Sequence, residues 1–72
     1  MKLTLLAKDG KSQDKACPSV YLSDTGELIV QGPELTGASK SALQNTLPGE
    51  TAVRIDPDIL LRAVEQYKQN GA

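Results

Sequence analysis

Few residues in this chain of 72 could do chemistry, and the side chain that catalysis uses most often is absent. Without histidine, a serine or cysteine nucleophile has no imidazole to take its proton, so the usual hydrolase triads are excluded. Cys17 is the only cysteine, which rules out an internal disulfide, and one thiol cannot supply the four ligands of a structural zinc site. The sequence therefore predicts a protein that is not an enzyme and that holds no metal or cofactor.

The glycines and acidic residues also lack the spacing of ligand-binding loops. Neither G-x-x-x-x-G-K-[ST] nor G-x-G-x-x-G occurs, so no glycine-rich loop is available to hold a phosphate group. Asp9 and Asp14 resemble a fragment of a calcium loop, but the ligands at alternate positions and the closing glutamate are missing. We interpret residues 8–16 as a polar, mobile loop.

Cys17 and Arg54 each allow a structural and a functional interpretation. Cys17 has no histidine or second cysteine to activate its thiol, so a small buried side chain at the start of a strand is favoured over a reactive one. Arg54 lies in an apolar stretch that predicts a strand. It would either form an ion pair with Glu27 across the sheet or anchor a protein interface, where arginine is enriched.

The charges are balanced and scattered. Lysine and arginine number 8 against 9 acidic residues, which gives a net charge of −1 and a pI of about 5.2. Domains that bind nucleic acid usually carry a basic stripe, so direct binding to DNA or RNA is disfavoured. The apolar residues 3–7 are too few for a signal peptide or a membrane helix. A lone thiol suits a reducing compartment, so we expect a cytoplasmic protein without membrane contact.

The length of the chain limits how much core it can form. Seventy-two residues predict a single domain that spans residues 1–72. Domains of about 70 residues usually need a disulfide, a metal or another subunit in addition to their core. Because the first two are excluded here, the sequence predicts self-association as a homodimer, association with another protein, or both.

Alternating apolar residues predict a mainly antiparallel sheet. Residues 1–7 and 51–55 predict single strands, and residues 17–22 and 27–31 predict a hairpin. The tetrapeptide S-D-T-G at residues 23–26 is a turn signal in which glycine can adopt a positive φ. We expect the strand at 51–55 to pair with this hairpin.

A helix is predicted from Pro57 onwards, with Asp56 as its N-cap and Gly71 as its stop. The side chains expected to face the core are Ile59, Leu60, Ala63, Val64 and Tyr67. The tail at 68–72 is expected to be mobile. Residues 34–47 are compatible with a short helix or with a loop. Together these elements predict an α+β fold, in which a C-terminal helix packs on a small antiparallel sheet.

Leu61 is the most specific candidate for contact with another chain. It lies about 130° from the centre of the apolar stripe of the helix. It would either cover an edge of the sheet, or remain a single exposed leucine, or widen the stripe together with Val64 into a second contact surface. We assign partner binding to Leu61, Val64, Arg54 and Arg62.

Three segments of the chain occur together in a known group of proteins. They are C-P-S-V-Y-L at 17–22, E-L-I-V-Q-G at 27–32 and L-P-G-E-T-A-V-R-I-D-P-D-I-L-L-R-A at 47–63. Through them the chain resembles a group of small actinobacterial proteins of unknown function. It is more distantly similar in layout to the BldB-like and WhiJ-associated proteins. It departs from the closer group at Asp56-Pro57, where that group often has Ile-Pro.

The resemblance implies a function through protein contact. BldB-like proteins are small and accompany helix-turn-helix regulators, and no catalytic or ligand-binding residue can be transferred from them to this chain. We therefore expect a protein–protein interaction module that is accessory to a helix-turn-helix transcription regulator. The alternative is a domain that binds a small ligand or nucleic acid on the face of its sheet.

Overall fold

The structure is a computed structural model that describes residues 1–10 and 18–69. Its elements follow one another as three strands and two helices. They are β1 (Leu3–Lys8), β2 (Ser19–Ser23), β3 (Leu28–Gln31), α1 (Gly37–Ser41) and α2 (Pro57–Gln69). The strands form an antiparallel sheet in the order β1-β2-β3, and α2 packs on it. The predicted α+β class is confirmed.

β2 and β3 form the predicted hairpin, with its turn at residues 23–27. The N–H of Ser23 donates to the carbonyl of Glu27 at 2.8 Å, and the Ser23 hydroxyl accepts the N–H of Glu27 at 3.1 Å. Gly26 has a φ of +91°, a left-handed conformation that glycine adopts without a Cβ clash. The turn signal in the sequence is therefore correct.

A β-bulge in β1 places two successive side chains on the helix side of the sheet. Leu5 pairs with Tyr21 and Ala7 pairs with Val20, so β1 advances two residues where β2 advances one. As a result Leu6 and Ala7 are both buried. In a regular strand without the bulge, Leu6 would point to the helix side of the sheet, and Ala7 would point to the opposite face together with Leu5.

α2 begins where the sequence predicts. The Asp56 carboxylate accepts the N–H of Asp58 at 3.0 Å, and the Asp56 carbonyl accepts the N–H of Ile59 at 3.0 Å. Pro57 occupies the first helical position, where its missing N–H leaves no donor unpaired. The acidic side chain of Asp58 lies at the positive end of the helix dipole. The N-cap is thus confirmed.

The core lies between α2 and the first two strands. Its buried apolar side chains are Leu6, Ala7, Val20, Ile59 and Ala63. Half-buried Leu22, Ile55 and Tyr67 pack around them. The core is small, because its only fully buried large side chain is Val20 among the residues that the structure describes.

The predicted core stripe of the helix is correct on one side and wrong on the other. Ile59 and Ala63 are buried, whereas Leu60 is 39% exposed and Val64 is half-buried. α2 contacts β1 and β2 but not β3. Tyr67, the fifth predicted residue, packs against the core, so Leu60 and Val64 lie at the margin of the contact between α2 and the sheet.

The strand predicted at residues 51–55 is reduced to a single bridge, and its predicted partner is wrong. Val53 bridges to Glu34, beyond the end of β3, and not to the β2–β3 hairpin. The N–H of Arg54 donates to the carbonyl of Pro33 at 2.9 Å. Because Pro33 has no N–H to return, the ladder cannot continue as a regular strand pair.

The segment 34–47 contains a short helix and irregular chain. α1 has five residues, is exposed throughout and contacts none of the other described helices and strands. Thr36 occupies its N-cap position without a side-chain hydrogen bond. Lys40 forms an ion pair with Glu34 at 3.9 Å. α1 therefore lies on the surface and adds nothing to the core.

Several predictions fall partly or wholly outside the described residues. Cys17, Asp14 and Gly71 lie in the parts that the structure leaves out. Of the segment 8–16, Lys8 is the last residue of β1. Of the segment 68–72, the first two residues belong to α2.

A pair of substitutions tests which side of α2 faces the core. We expect Ile59→Ala to lower the free energy of unfolding by about 2–5 kcal/mol, because it empties a buried position. Leu60→Ala removes a side chain of the same size next to it and should cost about 1 kcal/mol or less. Urea unfolding followed by circular dichroism measures both. Equal losses would mean that the core stripe is centred between the two residues.

A second pair of substitutions tests whether the backbone at residue 54 packs against the backbone at the end of β3. A Cβ atom on Gly32 would overlap the carbonyl oxygen of Arg54. We therefore expect Gly32→Ala to destabilise the protein by about 1–3 kcal/mol. Gly10→Ala is the control, since its added Cβ would have no described residue within 4 Å apart from its chain neighbours. If both variants unfold at the same urea concentration, the two backbone segments are not in contact.

Candidate interaction surface

The face of the sheet turned away from α2 has an apolar centre. Leu5, Tyr21 and Ile29 lie side by side across β1, β2 and β3. Side chains alternate along a strand, and Val20 points into the core, so this row points to the opposite face. Leu3 lies on the same face, two residues before Leu5. We call Leu3, Leu5, Tyr21 and Ile29 the back face.

The back face combines exposed apolar side chains with a polar border. Leu3 is 47% and Leu5 52% exposed, while Tyr21 and Ile29 are half-buried. The Tyr21 hydroxyl donates to Oε1 of Gln31 at 2.7 Å, so the polar end of the ring is already satisfied. An apolar centre with polar residues around it is the usual composition of a protein interface.

The outer side of α2 carries a second, narrower apolar strip. Leu61 is 63% exposed and, at about 100° per residue, lies opposite the buried Ile59 and Ala63. Leu60 and Val64 lie beside it on one flank. We call Leu60, Leu61 and Val64 the helix ridge. The structure thus brings Leu61 and Val64 of the predicted contact together.

Arg62 lies on the opposite flank of α2 from Val64. One of its Nη atoms donates to the carbonyl of Lys8 at 3.3 Å, which ties the helix to the end of β1. Arg62 therefore has a structural contact, and it does not share a surface with Val64.

Arg54 lies apart from the other three predicted residues, beside Pro33. Its side chain is exposed, and its guanidinium makes no hydrogen bond or ion pair within the part of the chain that the structure describes. The predicted ion pair with Glu27 is wrong, because residues 52–54 run beside residues 33–35 and not beside the hairpin. The Glu27 carboxylate instead accepts the hydroxyl of Thr25 at 3.1 Å.

Two shallow depressions flank α2, and Leu61 and Arg62 line both. The first, of about 420 Å³, is lined also by Asp9, Gly10, Asp56, Asp58 and Ile59. The second, of about 330 Å³, is lined also by Leu6, Ala7, Glu65 and Gln66. Both are open to solvent, unlike the enclosed pockets that hold small ligands. No group of three or more Asp, Glu, His or Cys within residues 1–10 and 18–69 could hold a metal ion.

Sequence reasoning missed the back face as a unit, although part of its signal is visible. The alternation within each strand places Leu3 with Leu5 and places Tyr21 opposite Val20. What joins these residues into one surface is the pairing between strands, in particular the register of β1 on β2. Nothing local in the sequence encodes that register, because residues 9–18, and not a tight turn, connect the two strands.

No protein-family model, curated protein or solved structure matches the chain. Among the described residues, no helix has the length and apolar composition needed to cross a membrane.

Adjacent leucines in β1 test whether the back face is uncovered. We expect Leu6→Ala to lower the free energy of unfolding by about 2–5 kcal/mol, since Leu6 is in the core. Leu5→Ala should cost about 1 kcal/mol or less, because half of the Leu5 side chain is already in water. Urea unfolding at low protein concentration measures both. A large loss for Leu5→Ala would show that another part of the chain covers this face.

Proposed function

We propose that this chain is a non-catalytic protein–protein interaction module of the cytoplasm. It acts as an accessory to a helix-turn-helix transcription regulator, and it works as a homodimer or within a complex. The surface that receives the regulator is the back face.

The observation that supports this proposal most strongly is that the core is small while several large apolar side chains lie on the surface. Among the described residues, five apolar side chains are buried, and several large ones remain exposed on the back face and on the helix ridge. A domain of this size with so small a core is expected to be marginally stable alone. Covering the exposed leucines with another protein would stabilise it by mass action.

The chemistry of the back face favours a protein partner over nucleic acid. The row of Leu5, Tyr21 and Ile29 contains no lysine or arginine that could neutralise phosphates. The net charge of −1 is also opposite in sign to that of most nucleic-acid binding domains. A small ligand would need an enclosed pocket, and the two depressions beside α2 are open.

The kind of partner is inferred from the resemblance of residues 17–22, 27–32 and 47–63 to the small actinobacterial group. The first includes residues 19–22 of β2, the second contains β3, and the third contains the cap and first turns of α2. The first two segments carry Tyr21 and Ile29 of the back face. Proteins of similar layout accompany helix-turn-helix regulators, which is why we expect a regulator as the partner.

Affinity capture followed by reconstitution tests the proposal. The tagged chain is expected to retain a protein with a helix-turn-helix domain from its own organism, and the two purified proteins should form a complex. We expect Leu5→Lys to weaken that complex at least about tenfold, because a charge would be buried without a partner. Isothermal titration calorimetry measures the affinity.

Leu61→Lys is the matched control, since it adds the same charge to the helix ridge. It should leave the affinity for the regulator within about twofold. The opposite result, binding lost in Leu61→Lys and kept in Leu5→Lys, would move the contact to the helix ridge. If no such regulator binds and duplex DNA binds tightly at low salt, the module is a nucleic-acid binder instead.

A further inference from the structure

The two edges of the sheet differ in how they are protected. β1 contains a bulge, and Lys2 directly precedes the strand. At the last residue of β1, the carbonyl of Lys8 accepts a hydrogen bond from Arg62. Bulges and charged side chains are features that keep another strand from pairing with an edge. β3 has no bulge, and its residues 28–30 are three successive apolar residues without a charge or a proline. The charge that flanks this strand is Glu27, which precedes it.

The backbone groups at the free edge of β3 belong to Leu28 and Val30. The hydrogen bond from Ser23 to Glu27 fixes residue 27 as a position that bonds to β2. Such positions alternate along an antiparallel pair, so Ile29 also bonds to β2, whereas Leu28 and Val30 direct N–H and C=O outward. No backbone group of the described residues bonds to this edge.

We propose that β3 pairs antiparallel with β3 of a second copy of this chain, across a two-fold axis at Ile29. Leu28 then faces Val30 of the second copy, and Val30 faces Leu28 of the second copy. Each of these two pairs exchanges two N–H···O bonds. Ile29 faces its own counterpart at a non-hydrogen-bonded position. This inference rests on the proposed self-association and assigns the surface that performs it.

The side chains are complementary in this register. Glu27 lies opposite Gln31 of the second copy, so no like charges face each other along the strand. The Tyr21 hydroxyl donates to Oε1 of Gln31, which leaves the Nε2 amide of Gln31 as a donor. That amide lies on the same face as the Glu27 carboxylate opposite it, which is an acceptor.

Pairing at β3 also joins the two back faces. The row Leu5, Tyr21 and Ile29 of one copy continues directly into Ile29, Tyr21 and Leu5 of the other. Two sheets of three strands become one of six, with both α2 helices on the same side. The partner of such a dimer would meet a two-fold symmetric apolar face, which suits a partner that is itself a symmetric dimer.

The interface formed by two short strands is small. It lies at or below the roughly 1,200 Å² that separates weak from stable complexes, so we expect dissociation in the micromolar range. The wild-type chain should therefore pass from monomer to dimer between about 1 and about 500 µM in sedimentation equilibrium.

Charge substitutions at the two-fold axis test the register. In a dimer of Ile29→Lys or of Ile29→Glu, two like charges would face each other from residues whose Cα atoms are about 4.5 Å apart. Each variant alone should therefore remain monomeric across the same concentration range. An equimolar mixture should form a heterodimer, because the charges are then opposite. Leu5→Lys is the control: it makes the same change in the same row but at the other edge, and it should dimerise like the wild type.

Amide hydrogen exchange provides a test that does not depend on substitution. In the dimer the N–H groups of Leu28 and Val30 are bonded to the second copy, so their exchange should slow at least about tenfold as concentration rises. The N–H of Ile29 bonds within the hairpin and should change much less.

The outcomes separate this inference from the proposed function. If the wild type dimerises but Ile29→Lys does so equally well, or if Leu28 and Val30 exchange rapidly in the dimer, self-association uses another surface. If the wild type remains monomeric over the whole concentration range, the proposed self-association is wrong. The proposed complex with a regulator is then tested separately by the affinity-capture experiment. If both Ile29 variants are monomeric but the mixture forms no dimer, the two-fold register is wrong.

Discussion

One helix can cover only one face of a three-stranded sheet, and most features of this protein follow from that limit. α2 presses Ile59 and Ala63 onto Val20 and leaves β3 outside its reach. The back face, the edge of β3 and the helix ridge consequently keep large apolar side chains exposed. In a larger domain a second layer of helices would cover them. Among the residues that the structure describes, α2 is the only helix that packs on the sheet.

The parts of the fold that could be predicted from the sequence depend on a few neighbouring residues. The start of α2 is determined by Asp56, Pro57 and Asp58, whose cap and dipole interactions lie within one helical turn. The hairpin turn is determined in the same way by the tetrapeptide at residues 23–26. Both signals are correct because no distant contact competes with them.

The parts that could not be predicted depend on contacts between distant segments. Leu60 fits the apolar stripe of α2, but whether it is buried depends on how many strands lie under the helix. Residues 51–55 have the alternation of a strand, yet Pro33 prevents a ladder with the segment they meet. Arg54 follows that segment and is thereby separated from Leu61 and Val64. The back face needed the register between strands, which alternation within one strand does not specify.

The bulge in β1 is equivalent to the insertion of one residue into a regular strand. Without Leu6, Leu5 would still pair with Tyr21 and Ala7 with Val20, so both faces of the sheet would keep their residues. What the additional residue supplies is one large aliphatic side chain in a core that otherwise receives only Ala7 from this end of β1. A deletion or insertion at this position would therefore change the number of large side chains in the core while leaving the residues of the back face unchanged, so the two can vary separately.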